Sequence, residues 1–177
     1  MHEDIEETIE VPEKVNASLN ESEITIAGPK GEMSRKFPME MKLEGKKISI
    51  SAKNGTRDTK RMINTQIAHI KNMIHGVQEG YKYNLQICSV HFPMTVAVVK
   101  NTVVIKNFLG EVGERVAKIL PKVELKVEGE FIRIFSIDKE AAGQTAANLE
   151  TATKVRNRDR RVFQDGIWIT EKPEDME

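Results

Sequence analysis

Residues 161–169 read RVFQDGIWI, and at a shift of 86 residues 76–83 read GVQEGYKY. Each time an apolar residue, a Gln, an acid and a Gly lead into an aromatic-rich, strand-like pattern. Glycine accepts backbone angles that other residues avoid, so Gly80 and Gly166 read as equivalent turns between a helix and a closing strand. At least one of the two is expected at positive φ. On the N-terminal side of the pair, at a shift of 79 Ile24, Ile26, Gly31 and Glu32 fall on Val103, Ile105, Gly110 and Glu111. At a shift of 84 the run MKLEGKKISI (residues 41–50) meets LKVEGEFIRI (residues 125–134). Both alternate in polarity and are broken by Glu-Gly, the pattern of a β-hairpin turning at Gly45 and Gly129.

A turn cluster follows each hairpin, at Asn54-Gly55 and at residues 136–139. After it the first copy places Ile63, Ile67, Ile70 and Ile74 on one helical face. The second copy's helix, EAAGQTAANLETAT, is Ala-rich with Leu149 as its largest apolar residue, and so it can lie closer to its sheet. Each copy reads strand, strand, hairpin, helix, closing strand. The fold class is therefore α+β: a tandem duplication of a small domain, each a mostly antiparallel sheet packed with one helix. Expected boundaries are 1–82 for the first repeat, with an acidic N-terminal segment, and 83–177 for the second, with an acidic C-terminal tail. A chain of 177 residues accommodates two small domains.

Formal net charge is zero, but the charges are unevenly placed. Residues 1–13 carry six acids and no Lys or Arg, and residues 171–177 carry four acids and one Lys. Between them, residues 14–170 hold 17 acids against 26 bases. Acidic ends are expected to be solvated and disordered, leaving a basic body to meet a partner.

The two copies differ most between helix and closing strand. KNMIHG in the first stands against KVRNRDRR, residues 154–161, in the second. Lys154, Arg156, Arg158, Arg160 and Arg161 make five cations in eight residues, with one acid among them. A guanidinium grips two phosphate oxygens at once, where Lys offers a point charge. Thr151, Thr153 and Asn157 add neutral donors suited to phosphate and ribose. Cations also suit a helix C-terminus, whose dipole favours them, but that reading leaves the contrast between copies unexplained.

Other chemistry is weakly signalled. GPKG (residues 28–31) and LGEVGER (residues 109–115) lack the pattern of a phosphate loop or dinucleotide fingerprint and read as turns. His2, His69, His75 and His91 lack helical metal-pair spacing and read as surface or partly buried structural residues. No catalytic residue, metal ligand or cofactor is assigned. Cys88, the single cysteine, reads as a small packed hydrophobe, excluding an internal disulfide and favouring a reducing compartment. Neither a secretory signal nor a membrane span is read, so a soluble, cytoplasmic protein is expected.

At RNRDRRVFQDGIW the chain resembles the signature of the large-subunit ribosomal protein six family in its archaeal and eukaryotic form. The matching residues are Val155, Arg158, Arg161, Phe163, Asp165, Gly166, Ile167 and Trp168. NFLGE, residues 107–111, is similar to a segment at the start of that family's second domain. Thr151 stands where Gln is usual and Trp168 where Tyr or Phe is. The resemblance covers nearly the whole chain and implies two similar α+β domains with no catalysis. It also implies that large-subunit ribosomal RNA is bound mainly through the second domain, near the sarcin-ricin loop and the stalk base, beside neighbouring large-subunit proteins. The expected RNA-binding residues are Lys154, Arg156, Asn157, Arg158, Arg160 and Arg161. Neither a membrane nor a small-molecule substrate is implied. The alternative from charge alone is an interaction adaptor whose basic loop meets an acidic partner.

Overall fold

The computed structural model describes residues 3–20, 22–38 and 41–173. The chain divides into two compact units, Met1–Gly80 and Tyr81–Glu177, and every strand pairing is antiparallel.

In the first unit, strands β1 (Glu3–Glu10), β5 (Met41–Glu44) and β6 (Lys47–Gly55) form one sheet in the order β1-β6-β5. Strands β2 (Asn16–Asn20), β3 (Glu23–Gly28) and β4 (Gly31–Lys36) form a second, with β3 central. Helix α1 (Arg57–Gln78) starts at Thr56. There the Thr59 N–H donates to Thr56 Oγ1 and the Thr56 N–H donates to Thr59 Oγ1, both at 3.3 Å. This reciprocal cap satisfies two of the donors a helix start leaves open. Ile63, Ile70, Met73 and Val77 from α1 pack on Ile24 and Ile26 of β3 and on Ile48 and Ile50 of β6. Ile67, expected on the same face, is half-buried.

In the second unit, β7 (Tyr81–Cys88), β11 (Val123–Glu128), β12 (Phe131–Ser136) and β13 (Gly166–Glu171) form a sheet in the order β11-β12-β7-β13. A smaller sheet joins β8 (Thr95–Val99), β9 (Thr102–Lys106) and β10 (Arg115–Lys118), with β9 central. Helix α2 (Lys139–Ala152) is capped by Asp138, whose carboxylate accepts from the Glu140 N–H at 2.9 Å. Its small face, Ala142 and Ala146 with Leu149, packs against Leu85, Ile105, Ile132 and Ile167.

The repeat read in the sequence extends to strand register. Met41 pairs with Ile50 and Leu43 with Ile48 in β5-β6; Leu125 pairs with Ile134 and Val127 with Ile132 in β11-β12. Both hairpins turn on a left-handed glycine, Gly45 at φ 63° and Gly129 at φ 61°.

Several expectations are corrected. The strand beginning at Tyr81 does not close the first copy. It runs between β12 and β13, and its Leu85 sits opposite Ile132 as Ile9 of β1 sits opposite Ile48. Thus β7 takes in the second unit the place of β1 in the first, and β13 is an added edge strand. Nor is the acidic N-terminal segment without structure from Glu3 on: Glu3–Glu10 is β1, with Ile9 buried against β6. Residues 174–177 of the acidic tail and His2 lie outside the described residues. Asn54 and Gly55 end β6 rather than forming a turn. Cys88 is half-buried at the end of β7 rather than enclosed in the core.

The two Gln-acid-Gly glycines also part company. Gly80 has φ 77°, as a turn requires, whereas Gly166 is the first residue of β13 and is not among the positive-φ glycines. Gly80→Ala is therefore expected to lower stability by about 1 kcal/mol in denaturant unfolding, the cost of a Cβ in left-handed backbone. Gly166→Ala escapes that cost and meets the indole of Trp168 instead, at 3.4 Å from the new Cβ.

Candidate nucleic-acid interface

The basic run lies in the loop joining α2 to β13, and alternation of its side chains positions it. Thr153 and Val155 point inward, 3% and 8% exposed, while Lys154 and Arg156 between and beyond them are exposed. Thr153 ties the two elements together: its hydroxyl donates to Leu149 O at 3.2 Å and accepts from the Ile167 N–H at 2.9 Å. Asn157 then turns the chain at φ 57°, a left-handed conformation that Asn tolerates better than most residues. Asp159 organises the next turn, accepting from the Arg161 N–H at 3.0 Å, while its carbonyl accepts from the Val162 and Phe163 N–H groups.

Arg115 of β10 fixes the start of the loop. Its guanidinium forks onto Glu111 at 2.6 and 2.8 Å and donates through Nη1 to the carbonyls of Ala152 and Lys154 at 2.9 and 3.0 Å. It also lies 4.3 Å above the Phe108 ring. An arginine so used satisfies carbonyls that the end of α2 leaves open. These bonds hold the Glu111 carboxyl below its ordinary range against the opposing effect of burial, with Arg158 and Arg156 adding to the lowering.

Asp165 fixes the end of the loop. It is 1% exposed and accepts from the His91 backbone N–H at 3.0 Å and from His91 Nδ1 at 2.7 Å. Burial pushes its carboxyl up, but the His91 side-chain and backbone bonds outweigh this and hold it low. The His91 ring lies 4.7 Å from the Phe163 ring, and the Arg158 guanidinium sits 4.9 Å from the Phe163 centroid. A continuous series of contacts thus runs from a buried carboxylate to an exposed cation.

The five cations are differently placed. Arg161 is forked onto Asp159, with Nη2 at 2.8 Å and Nε at 3.1 and 3.2 Å, and the bond lowers the Asp159 pKa. Arg158 rests on Phe163. Lys154, Arg156 and Arg160 are exposed and make no side-chain hydrogen bond or ion pair among the described residues. A groove of about 920 Å³ opens on one side of the loop's start, between Lys154, Arg160, Phe163 and Trp168. A second hollow of about 680 Å³ lies between Lys118, Asn148 and Arg156.

The first unit has no counterpart. KNMIHG lies within α1, which runs to Gln78, and only Glu79 and Gly80 separate it from β7. The contrast between the copies is thus a loop against a continued helix. Sequence reading missed the anchoring roles of Arg115 and Glu111, and it took His91 as a surface or partly buried structural residue without its partner Asp165. The Glu111–Arg115 pair has a local four-residue spacing that could have suggested it, but no local signal links His91 to Asp165 across 74 residues. Among the described residues no group of three His, Cys, Asp or Glu side chains could hold a metal, and no helix is long and apolar enough to cross a membrane.

Comparison with known proteins gives a consistent result. The family model described as ribosomal protein L6 matches residues 11–80 and 92–166. Large ribosomal subunit protein uL6 of Methanobrevibacter smithii is 46% identical over 171 residues, covering 95% of this chain and 96% of the relative. The protein of the same name from Desulfurococcus amylolyticus is 45% identical over 176 residues, covering 96% of each. That from Methanosarcina mazei is 42% identical over 175 residues, covering 97% of this chain and 99% of the relative.

Proposed function

The chain belongs to the ribosomal protein L6 family, and we propose that it is a structural, non-enzymatic protein of the large ribosomal subunit whose second unit binds large-subunit ribosomal RNA. The binding element is the α2-β13 loop, with Lys154, Arg156, Arg158, Arg160 and Arg161 on backbone phosphates and Asn157 beside them. One observation carries this reading. The loop's inward groups are all engaged in holding it, while Lys154, Arg156 and Arg160 face solvent with no side-chain hydrogen bond or ion pair among the described residues. Cations held on a fixed frame read the spacing of phosphates in A-form RNA, whose shape rather than base sequence is accessible to such a loop. The family resemblance supports a place near the sarcin-ricin loop and the stalk base in the cytoplasmic ribosome, among other large-subunit proteins.

Filter retention of large-subunit RNA, with an acidic polypeptide as competitor, tests the reading. Saturable RNA binding that resists the polypeptide is expected. Saturable binding to the polypeptide alone would make the chain an adaptor for an acidic partner instead.

The frame has its own test. Arg115→Met keeps much of the stem's packing but removes the donors to Ala152 O, Lys154 O and Glu111. We expect stability to fall by about 1 to 3 kcal/mol, since carbonyls are left unmatched, and RNA affinity to fall although Arg115 itself need not touch RNA. Unchanged stability, measured by denaturant unfolding, would show that the loop is held without it.

A further inference from the structure

We propose that the groove beside the loop holds one unstacked nucleotide of the bound RNA, its base against the Trp168 indole and its phosphate between Lys154 and Arg160. This rests on the RNA-binding reading above and goes further: it requires an unpaired nucleotide, which phosphate contacts alone do not.

Four observations lead there. First, the volume of about 920 Å³ lies within the range of roughly 300 to 1,000 Å³ typical of small-ligand sites. Second, the lining is divided by chemistry, with Val90, Phe163 and Trp168 apolar and Lys154 and Arg160 cationic. A nucleotide has the same division, an apolar base face joined to an anion. Val90 is 80% exposed and would be covered by such an occupant. Third, the indole is held in place before anything binds. Trp168 Nε1–H donates to Gln164 O at 3.2 Å, and the ring lies alongside Gly166, where an added Cβ would meet Cε2 and Nε1 at 3.4 Å. One side of the ring thus faces the glycine, and its unburied part lines the groove. A fixed aromatic surface beside free cations is how proteins hold bases that have left a helix. Fourth, Glu150 stands on the same rim, half-buried. Its carboxylate can accept from ribose hydroxyls, while Lys154 and Arg160 on the same groove supply the charge a phosphate needs.

The chain carries one Trp and one Cys, and Trp168 and Cys88 both line this groove, so each is an unambiguous reporter. The full chain is titrated with short single-stranded RNA and with blunt duplex RNA, following Trp168 emission, Cys88 alkylation by iodoacetamide and filter retention together. Quenching of Trp168 and several-fold slower alkylation of Cys88 are expected with single-stranded RNA and not with duplex. Trp168→Leu should weaken single-stranded binding about 5- to 150-fold, the loss of one base-aromatic stack, with duplex binding unchanged and Trp168→Phe restoring most of it. Retention of both RNAs without quenching or protection, or equal quenching by duplex, overturns the groove assignment and leaves the phosphate-binding loop standing. Failure to retain either RNA overturns both. Should Trp168→Leu not fold, the reporters of the unmodified chain decide the matter alone.

Discussion

Replacing Lys154, Arg156, Arg158, Arg160 and Arg161 together with Gln is expected to lower affinity for large-subunit RNA by on the order of a thousandfold in about 0.1 M salt. The magnitude follows from counterion release, roughly 0.7 to 0.9 of a log unit per phosphate for each tenfold change in salt, with about four phosphates engaged. Four is used rather than five because Arg161 is already forked onto Asp159 and has to share its donors. The fold should persist. The loop is anchored by Thr153, Val155, Arg115 and Asp165, none of which is changed, and surface substitutions usually shift stability by no more than about 0.5 kcal/mol each. Loss of the Arg158 contact with Phe163 is the largest single term, about 0.5 to 1 kcal/mol. Denaturant unfolding beside filter retention separates the two quantities. A variant that unfolds would return the cations to the role of helix-end ballast, since binding would then be lost for want of structure.

Asp165→Ala is expected to destabilise the protein by about 3 kcal/mol. Two hydrogen bonds to a charged acceptor are removed, each worth roughly 1.5 kcal/mol or more, and His91 loses its partner in a part-buried place. Asp165→Asn keeps an acceptor oxygen and should cost about half as much. The pH dependence has a definite sign. The folded-state pKa of Asp165 lies below its ordinary value, so its stabilisation is complete above the ordinary carboxylate range near 3.9 and is lost as pH falls through the folded value. Melting temperatures of the native chain and of Asp165→Asn should therefore differ most near neutral pH and converge in acid. A constant difference down to acid pH would mean that the carboxylate charge contributes nothing. Because His91 also carries Phe163, and Phe163 carries Arg158, both variants should loosen the loop and weaken RNA binding in proportion to their effect on stability.

Much of this was legible in the sequence wherever short-range periodicity is the cause of structure. The shift of 84 between Met41 and Leu125 carried over to the pairing of each hairpin because alternation and a glycine turn set register locally. The cations of the loop were legible because nothing in the first copy matches them. What was hidden is long-range. Gln-acid-Gly before β7 and before β13 looks alike, yet which sheet receives β7 depends on Leu85 meeting Ile132, a pairing that no local pattern specifies. In residues 1–13 the acids outweighed a weaker signal, Ile5 and Ile9 on one side of a strand, and the burial of Ile9 against Ile48 decides the outcome. KNMIHG contains no breaker before its Gly76, and α1 carries on through that glycine because it is buried with Val77 against the sheet. The anchors of the loop come from β10 and from the segment after β7, far away in sequence, and only the fold brings them together.

We propose the second unit's loop as the principal phosphate-binding element. Its most direct test is the slope of log affinity for large-subunit RNA against log salt, measured for the native chain, the five-Gln loop variant, and a control with Lys60, Arg61 and Lys71 of α1, all exposed, changed to Gln. A slope reduced in magnitude by about three is expected in the loop variant, and one close to native in the control. An unchanged slope in the loop variant, or equal flattening in both, would contradict the proposal.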